Sequence, residues 1–170
     1  MMAKTDTKKA RVYIASPFFT PEQVERVKRV EEALEANPFV EEFFSPRLNQ
    51  VDTLVFGSEL WREAVFNQDI SFVKWATVIV SVADMTTAEH VTAISGDRII
   101  EKVADTDSGT AFELGYAFAT DTPILVLHET DSTLNLMLSD SLHYYTKDVA
   151  DIEDYNFIKM PKSKYTGEVI

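Results

Sequence analysis

The sequence predicts a single α/β domain built on a doubly wound parallel sheet. Two almost continuous aliphatic runs, residues 77–82 and 124–127, have the composition of strands that are buried on both faces. Stretches with helical spacing alternate with extended ones, which is the pattern of βαβ units with right-handed crossovers. The chain has 170 residues, 45% of them hydrophobic, and this length fits one core.

The chain opens on a polar stretch. Residues 1–10 are lysine-rich and lack apolar periodicity, which predicts a flexible N-terminal tail before one domain over residues 11–170. The short apolar run 12–15 predicts the first strand. A helix start follows, marked by a capping threonine, a proline at the first helical position and a glutamine that completes a capping box: Thr20, Pro21 and Gln23.

The remaining elements follow from the spacing of apolar residues and from their breakers. The expected strands cover residues 39–44, 77–82 and 124–127. The expected helices cover residues 21–36, 59–75 and 110–119. Residues 83–106 are of mixed polarity and are expected to form an excursion from the sheet. Ligands of such folds bind outside the carboxyl ends of the strands, so we expect the site in the loops after residues 15, 82 and 127.

Composition excludes several classes of function. The chain has 16 lysine and arginine residues against 28 aspartate and glutamate residues, and the net charge of -12 repels nucleic-acid polymers and anionic membranes. Cysteine is absent and the three histidines lack the spacing of a helix-borne zinc site, so we expect neither a metal nor a cofactor. Five glycines form no P-loop or G-x-G-x-x-G sequence. Cysteine is absent and so is a signal-like segment, and both absences predict a cytoplasmic protein.

Glu113 is the residue that most needs an explanation. Its neighbours Phe112, Leu114 and Tyr116 suggest a largely buried helix, in which a carboxylate is costly without partners or a task. One interpretation places Glu113 on a solvent-facing stripe or near the positive end of the helix dipole. The other makes it a nucleophile or base at the carboxyl edge of the sheet, close to Gly109, where a ligand can approach the backbone.

Other candidates also have ordinary structural explanations. Asp107 could be the N-cap of the helix that carries Glu113, and Asp69 could be an exposed polar residue. Tyr13 and Phe18 lie at the end of the first strand, where they could pack in the core or form an aromatic wall for a flat ligand.

Taken together, four stretches resemble the nucleoside 2-deoxyribosyltransferases, which move 2-deoxyribose from one nucleobase to another. Residues 107–117, DSGTAFELGYA, resemble the D-x-G-x-x-x-E-(L/I)-G segment around the catalytic glutamate of that family. Residues 61–69 are similar to its W-x-x-A and N-D block, and residues 134–137 to its N-L-M loop. Residues 12–19 are similar to its first strand and loop, particularly in the purine-preferring branch. The resemblance implies a flavodoxin-like fold.

The resemblance also implies roles for the candidate residues, with a 2'-deoxynucleoside as donor and a free nucleobase as acceptor. Glu113 would attack the anomeric carbon and form a covalent deoxyribosyl-enzyme, and attack by the second base would restore the original configuration. Asp107 and Asp69 match positions that contact substrate, and we assign Asp69 to protonation of the departing base. Tyr13 would orient Glu113, and Phe18 would lie against the base.

Family members assemble as hexamers built from dimers, which implies a homo-oligomer here. Asn135 would reach the neighbouring subunit's site and hold the sugar 5'-hydroxyl, with Met137 beside the base. An aromatic residue near the C-terminus closes the site in the family. Tyr165 is the candidate for that role, because Ile170 stands where several relatives have tyrosine.

Two alternatives stay open at this point. The first is an N-glycosidase acting on 2'-deoxynucleoside 5'-monophosphates, which shares the fold and the nucleophile but needs donors for a phosphate. The N-L-M match argues against it, because that loop serves a free 5'-hydroxyl. The second is a non-catalytic nucleotide-binding module, against which the joint presence of Glu113, Asp107, Asp69 and Asn135 argues.

Overall fold

A computed structural model describes residues 8–83, 93–95, 98–100 and 106–170. The strands are β1 (Ala10–Ala15), β2 (Val40–Phe44), β3 (Val78–Val82), β4 (Ala93–Ser95), β5 (Arg98–Ile100), β6 (Ile124–Leu127) and β7 (Tyr144–Thr146). The helices are α1 (Pro21–Ala36), α2 (Glu59–Trp75), α3 (Ser108–Ala119), α4 (Leu136–Ser141) and α5 (Ala150–Asp154).

Five strands, joined by four parallel pairings, form one sheet in the order β2-β1-β3-β6-β7. Strands β4 and β5 pair with each other in an antiparallel manner, outside that sheet. The predicted α/β fold is therefore confirmed, and the strand order is the flavodoxin-like one. The chain leaves β1 for β2 on one side and reaches β3 on the other, so the carboxyl ends of β1 and β3 frame a crevice at this switch point.

Alternation along β1 divides the core into two layers. Val12 and Ile14 pack on one face of the sheet with α1 and α5. Tyr13 and Ala15 pack on the other face with α2 and α3. This alternation directs the fully buried Tyr13 towards α3, the helix that carries Glu113.

Most element boundaries agree with the sequence prediction. Helix α2 spans the predicted residues 59–75, and the capping box at Thr20 is present in α1. Strand β1 begins earlier than predicted, because Ala10 is buried and its N–H donates to the Phe39 carbonyl oxygen at 2.9 Å. Ala10 thus belongs to the sheet and not to the predicted tail, while residues 1–7 lie outside the described residues.

Two differences concern the second half of the chain. Helix α3 begins at Ser108, two residues before the prediction, because the side chain of Asp107 caps it. Strand β7 was missed, since its three residues, Tyr144–Thr146, are too few to show a strand pattern. The predicted excursion over residues 83–106 lies largely outside the described residues.

Candidate active site

The side chain of Glu113 is held by a hydrogen bond from the first strand. It lies on the same side of α3 as Thr110 and Ala117, which are buried, because residues three and four apart share a helix face. The Tyr13 hydroxyl donates to Oε1 of Glu113 at 2.6 Å. The pair joins β1 to α3 across a hundred residues of sequence, so the core fixes the direction of this carboxylate.

Asp107 and Gly109 form the start of the same helix. Oδ2 of Asp107 accepts hydrogen bonds from the Thr110 backbone N–H at 2.9 Å and from the Thr110 hydroxyl at 3.2 Å, so Asp107 is the N-cap. A Cβ atom added at Gly109 would lie only 3.1 Å from that Oδ2. Glycine at this position therefore leaves room for the capping carboxylate.

Asp69 is the third carboxylate at this edge of the sheet. It lies on α2, four residues after Val65, and both side chains line the same cavity. Its Oδ1 is buried and makes no hydrogen bond within the part of the chain that the structure describes. A buried carboxylate oxygen without a partner is costly, which makes this atom available to a ligand.

The environment raises the pKa of all three groups that meet here. The pKa of Glu113 is raised to about 7, mainly by burial and also by the charges of Asp69 and Asp107, while the hydrogen bond from Tyr13 acts in the opposite direction. Burial raises the pKa of Asp69 to about 6. Burial and the Glu113 charge also raise the pKa of Tyr13, which therefore stays protonated and donates. Glu113 and Asp69 can both exchange protons near neutral pH.

These carboxylates line a cavity of about 750 Å³. Five of the residues expected at the site line it: Phe18, Asp69, Asp107, Gly109 and Glu113. Tyr13 is not among the lining residues, but its hydroxyl donates a hydrogen bond to Glu113, which is. The volume falls within the range typical of small-molecule sites.

Sequence analysis missed one wall of this cavity. The segment after β2 contributes several lining residues, among them Arg47, Gln50, Asp52 and Phe56. Phe56 packs against Trp61 at a ring separation of 4.5 Å, and Phe18 stacks on Phe19 at 5.6 Å. The rule that ligands bind at the carboxyl ends of strands applies to β2 as much as to β1, so that rule could have found this segment. The loop after residue 127 is not among the described residues that line the cavity.

Within the described ranges, no group of three or more histidine, cysteine, aspartate or glutamate side chains is arranged to hold a metal ion. None of the helices in those ranges is long and apolar enough to span a membrane.

Comparison with known proteins identifies the family. Residues 12–146 match the family model described as Nucleoside 2-deoxyribosyltransferase. The chain belongs to the nucleoside 2-deoxyribosyltransferase family. The resemblance of its motifs to that family is thus confirmed, and the chain is a member of a family of glycosyl-transferring enzymes.

Individual deoxyribosyltransferases match over most of their length. A nucleoside deoxyribosyltransferase from Limosilactobacillus fermentum is 29% identical over 162 residues, with 86% of each chain covered. A solved 2-deoxyribosyltransferase from Bacillus psychrosaccharolyticus is 36% identical with a TM-score of 0.74, and the match covers 92% of this chain and 99% of that one. A conserved protein from Enterococcus faecalis V583 shares the fold, with a TM-score of 0.52, 16% identity, and 95% and 91% of the two chains covered.

Three residues that the resemblance to deoxyribosyltransferases singles out are not among the residues that line the cavity, namely Asn135, Met137 and Tyr165. Asn135 is exposed, caps α4 and accepts a hydrogen bond from the Met137 N–H at 2.9 Å. Met137 is 77% exposed. Tyr165 packs against His128 and Tyr145, and its hydroxyl donates to the Glu168 carbonyl oxygen at 2.9 Å.

The backbone on both sides of Asn135 is paired with a distant segment. The Leu136 N–H donates to the Ile170 carbonyl oxygen at 2.8 Å, and the Ile170 N–H donates to the Leu134 carbonyl oxygen at 3.1 Å. Leu134 and Val169 form an isolated parallel β-bridge at the same place. The position of Asn135 therefore depends on residues more than thirty positions away.

Proposed function

We propose that the chain transfers 2-deoxyribose between nucleobases through a covalent intermediate on Glu113, with retention at the anomeric carbon. The observation that carries this proposal is the hydrogen bond from the buried Tyr13 to Glu113 at the edge of the cavity. It leaves Oε2 of an aligned carboxylate for attack, and two further carboxylates lie near enough to raise the pKa of Glu113.

The reaction takes place in two displacements. The Glu113 carboxylate attacks the anomeric carbon, and the electrons of the broken C–N bond pass to the departing base. Asp69, whose pKa burial raises to about 6, supplies the proton that the base nitrogen needs. A second base then attacks the same carbon from the opposite face and expels Glu113, with its own nitrogen proton returning to Asp69. Two inversions give net retention.

The aromatic lining supports a nucleobase site in the same cavity. Phe18 and Phe19 stack on each other at the end of β1, where a flat ring can lie against them. Together with the similarity of residues 12–19 to the purine-preferring branch, this supports purine bases as the preferred substrates.

Exposed apolar groups support an oligomer. Phe112, Phe118, Leu136 and Met137 are all about half exposed or more, which is unusual for large apolar side chains near one another in sequence and fold. Asn135 stands among them, on the surface and away from the cavity of its own subunit. We propose a hexamer in which Asn135 completes the neighbouring subunit's site by holding the sugar 5'-hydroxyl.

Chromatography of bases and nucleosides tests the transferase directly. Incubation with deoxyinosine and adenine should give deoxyadenosine and hypoxanthine, whereas a sample without acceptor should show little cleavage. Equal cleavage without acceptor would support a hydrolase instead, and deoxyinosine 5'-monophosphate would then be the next donor. A matched incubation with thymidine and adenine separates a purine-only enzyme from a broad one.

The Glu113→Gln variant tests the intermediate. Glutamine keeps an oxygen that accepts from Tyr13 but cannot attack the sugar, so transfer should fall by several orders of magnitude while deoxyinosine still binds. Mass spectrometry of the denatured enzyme after exposure to deoxyinosine alone should show a deoxyribosyl adduct in wild type and none in the variant. Unchanged turnover in the variant would reject this mechanism.

A further inference from the structure

Arg47 differs in charge from its surroundings in the cavity. It follows β2, and it is the only basic residue among the described residues that line the cavity. The acidic residues of the same lining are Asp52, Asp69, Asp107 and Glu113. A single guanidinium among four carboxylates, in a chain of net charge -12, needs a structural or functional explanation.

A buried carboxylate holds Arg47 in one orientation. Glu31 of α1 is only 6% exposed and accepts from Nε of Arg47 at 3.1 Å and from Nη2. The Ser45 hydroxyl donates to the same Glu31 at 2.6 Å. Such a bidentate pair fixes the plane of the guanidinium. Its third nitrogen, Nη1, makes no hydrogen bond to any described residue, so two N–H donors stay available at a fixed position.

Arg47 and Glu113 line the same cavity from different elements. Arg47 follows β2, Phe18 follows β1, and Glu113 reaches back to β1 from α3. Strand β2 is next to β1 in the sheet, so Arg47 and Phe18 follow neighbouring strands. With the anomeric carbon of the sugar at Glu113, a base that lies against Phe18 can therefore contact Arg47 in the same cavity.

The charges around Arg47 determine which chemical group of a ligand can accept a hydrogen bond from Nη1. Glu31 already neutralises Arg47, and the other titratable groups of the lining are carboxylates, so a dianionic phosphate would be repelled. A neutral carbonyl oxygen needs only the directed N–H groups of Nη1. An exocyclic amino group is itself a hydrogen-bond donor, so placing it against Nη1 would leave both groups without an acceptor.

We infer that Arg47 is a specificity-determining residue that donates through Nη1 to a carbonyl oxygen of the nucleobase, so that oxo-bases such as hypoxanthine are preferred to the amino-base adenine. This inference rests on the proposed transferase activity. It assigns to the segment after β2 the recognition of one functional group on the base.

A competition between two acceptors tests the inference. Wild type and Arg47→Met receive deoxyguanosine as donor with equal concentrations of hypoxanthine and adenine, and the ratio of deoxyinosine to deoxyadenosine is measured at early times. The ratio is internal to each sample, so it does not depend on how much enzyme is folded. We expect wild type to favour deoxyinosine and Arg47→Met to lower the ratio by about tenfold, as for loss of one charged hydrogen bond.

Two control variants separate recognition from folding. Arg29→Met breaks a comparable bidentate pair, with Glu129, outside the described cavity lining, and it should leave the ratio unchanged. The double variant Glu31→Met with Arg47→Met removes both charges of the buried pair, and it should lower the ratio as the single variant does. A fall in both rates at constant ratio in Arg47→Met would overturn the inference.

A second donor, deoxyinosine 5'-monophosphate, tests whether Arg47 binds a phosphate instead of the base. If Arg47→Met loses cleavage of deoxyinosine 5'-monophosphate but keeps the acceptor ratio, Arg47 recognises a phosphate and the inference is wrong. If wild type forms no new nucleoside with either acceptor, the proposed transferase activity itself fails. These results differ from each other and from an unchanged ratio in an active enzyme.

Discussion

At the scale of residues, three of the four carboxylates that line the cavity have different surroundings. Glu113 accepts from Tyr13, Asp107 accepts from Thr110, and Oδ1 of Asp69 accepts from no described residue. Burial raises the pKa of Glu113 to about 7, and the Tyr13 hydrogen bond opposes this rise. The proposed reaction needs Glu113 ionised and Asp69 protonated, so we expect a bell-shaped pH profile of activity with its maximum between the two pKa values.

Substitution Tyr13→Phe tests this balance. Loss of the hydroxyl removes the one contact that lowers the pKa of Glu113, so the pKa rises. The pKa of Glu113, followed by carbon NMR of the labelled carboxylate in the free enzyme, should rise by about one unit, because a hydrogen bond to a charged group contributes that much. Activity at pH 7 should fall, because a smaller fraction of Glu113 is then ionised.

The control for this prediction is Tyr144→Phe, which removes a tyrosine hydroxyl outside the cavity lining of the described residues. The pKa of Glu113 in this variant should equal that of wild type. An unchanged Glu113 pKa in Tyr13→Phe would mean that the Tyr13 hydroxyl does not stabilise the Glu113 carboxylate.

At the scale of elements, the first turn of α3 has both a folding and a chemical role. Asp107 caps the helix by accepting from the Thr110 N–H, and its charge raises the pKa of Glu113 two turns further on. Asparagine and alanine separate these effects, because asparagine keeps the cap without the charge and alanine removes both.

Both Asp107→Asn and Asp107→Ala should therefore lower the pKa of Glu113 in the same NMR titration. Only Asp107→Ala should lose the cap, at about 1 kcal/mol of unfolding free energy. Urea denaturation at pH 7 measures this difference. Equal stability of the two variants would show that the capping hydrogen bond is not what Asp107 contributes to folding.

The sequence predicted elements well where one local signal was strong. The apolar spacing of α2 and the capping box of α1 both lie within a few residues of chain, so their bounds could be read directly. Strand β7 is short and has no such signal. The segment after β2 lines the cavity because β2 lies next to β1 in the sheet. Local sequence patterns do not show which strands are neighbours.

The site itself was predicted in part. Family motifs named Glu113, Asp69, Asp107 and Phe18, and the fold brings all four to one cavity. Arg47 carries no motif of its own, and its importance appears only when Glu31 from α1 and Ser45 from the end of β2 meet it. Such contacts join three separate elements, so spacing within the chain cannot reveal them.

At the scale of the whole molecule, the proposed sites are shared between subunits. Glu113 lines the cavity, whereas Asn135 is exposed and outside it. If neighbouring subunits complete each other's sites, two variants that are each inactive should restore activity when they are mixed.

Mixing Glu113→Gln with Asn135→Ala should thus restore activity after the subunits are dissociated and reassembled. Random exchange makes half of the dimers hybrid, and one of the two sites in a hybrid is intact, which gives about a quarter of wild-type activity. Nucleoside transfer measured before and after exchange checks this. A double variant mixed with either single variant should stay inactive, because no combination then restores a complete site. No gain, with oligomer size unchanged, would show that Asn135 does not act in the neighbouring subunit's site.

The backbone pairing around Asn135 couples the opening of this loop to the opening of a distant segment. Ile170 accepts a hydrogen bond from the Leu136 N–H and donates one to the Leu134 carbonyl oxygen, next to the bridge between Leu134 and Val169. Neither strand of such a bridge can open without the other, so the two segments share one local unfolding equilibrium. Asn135 therefore keeps its position only as long as residues 169–170, which are far from it in sequence, stay paired with this loop.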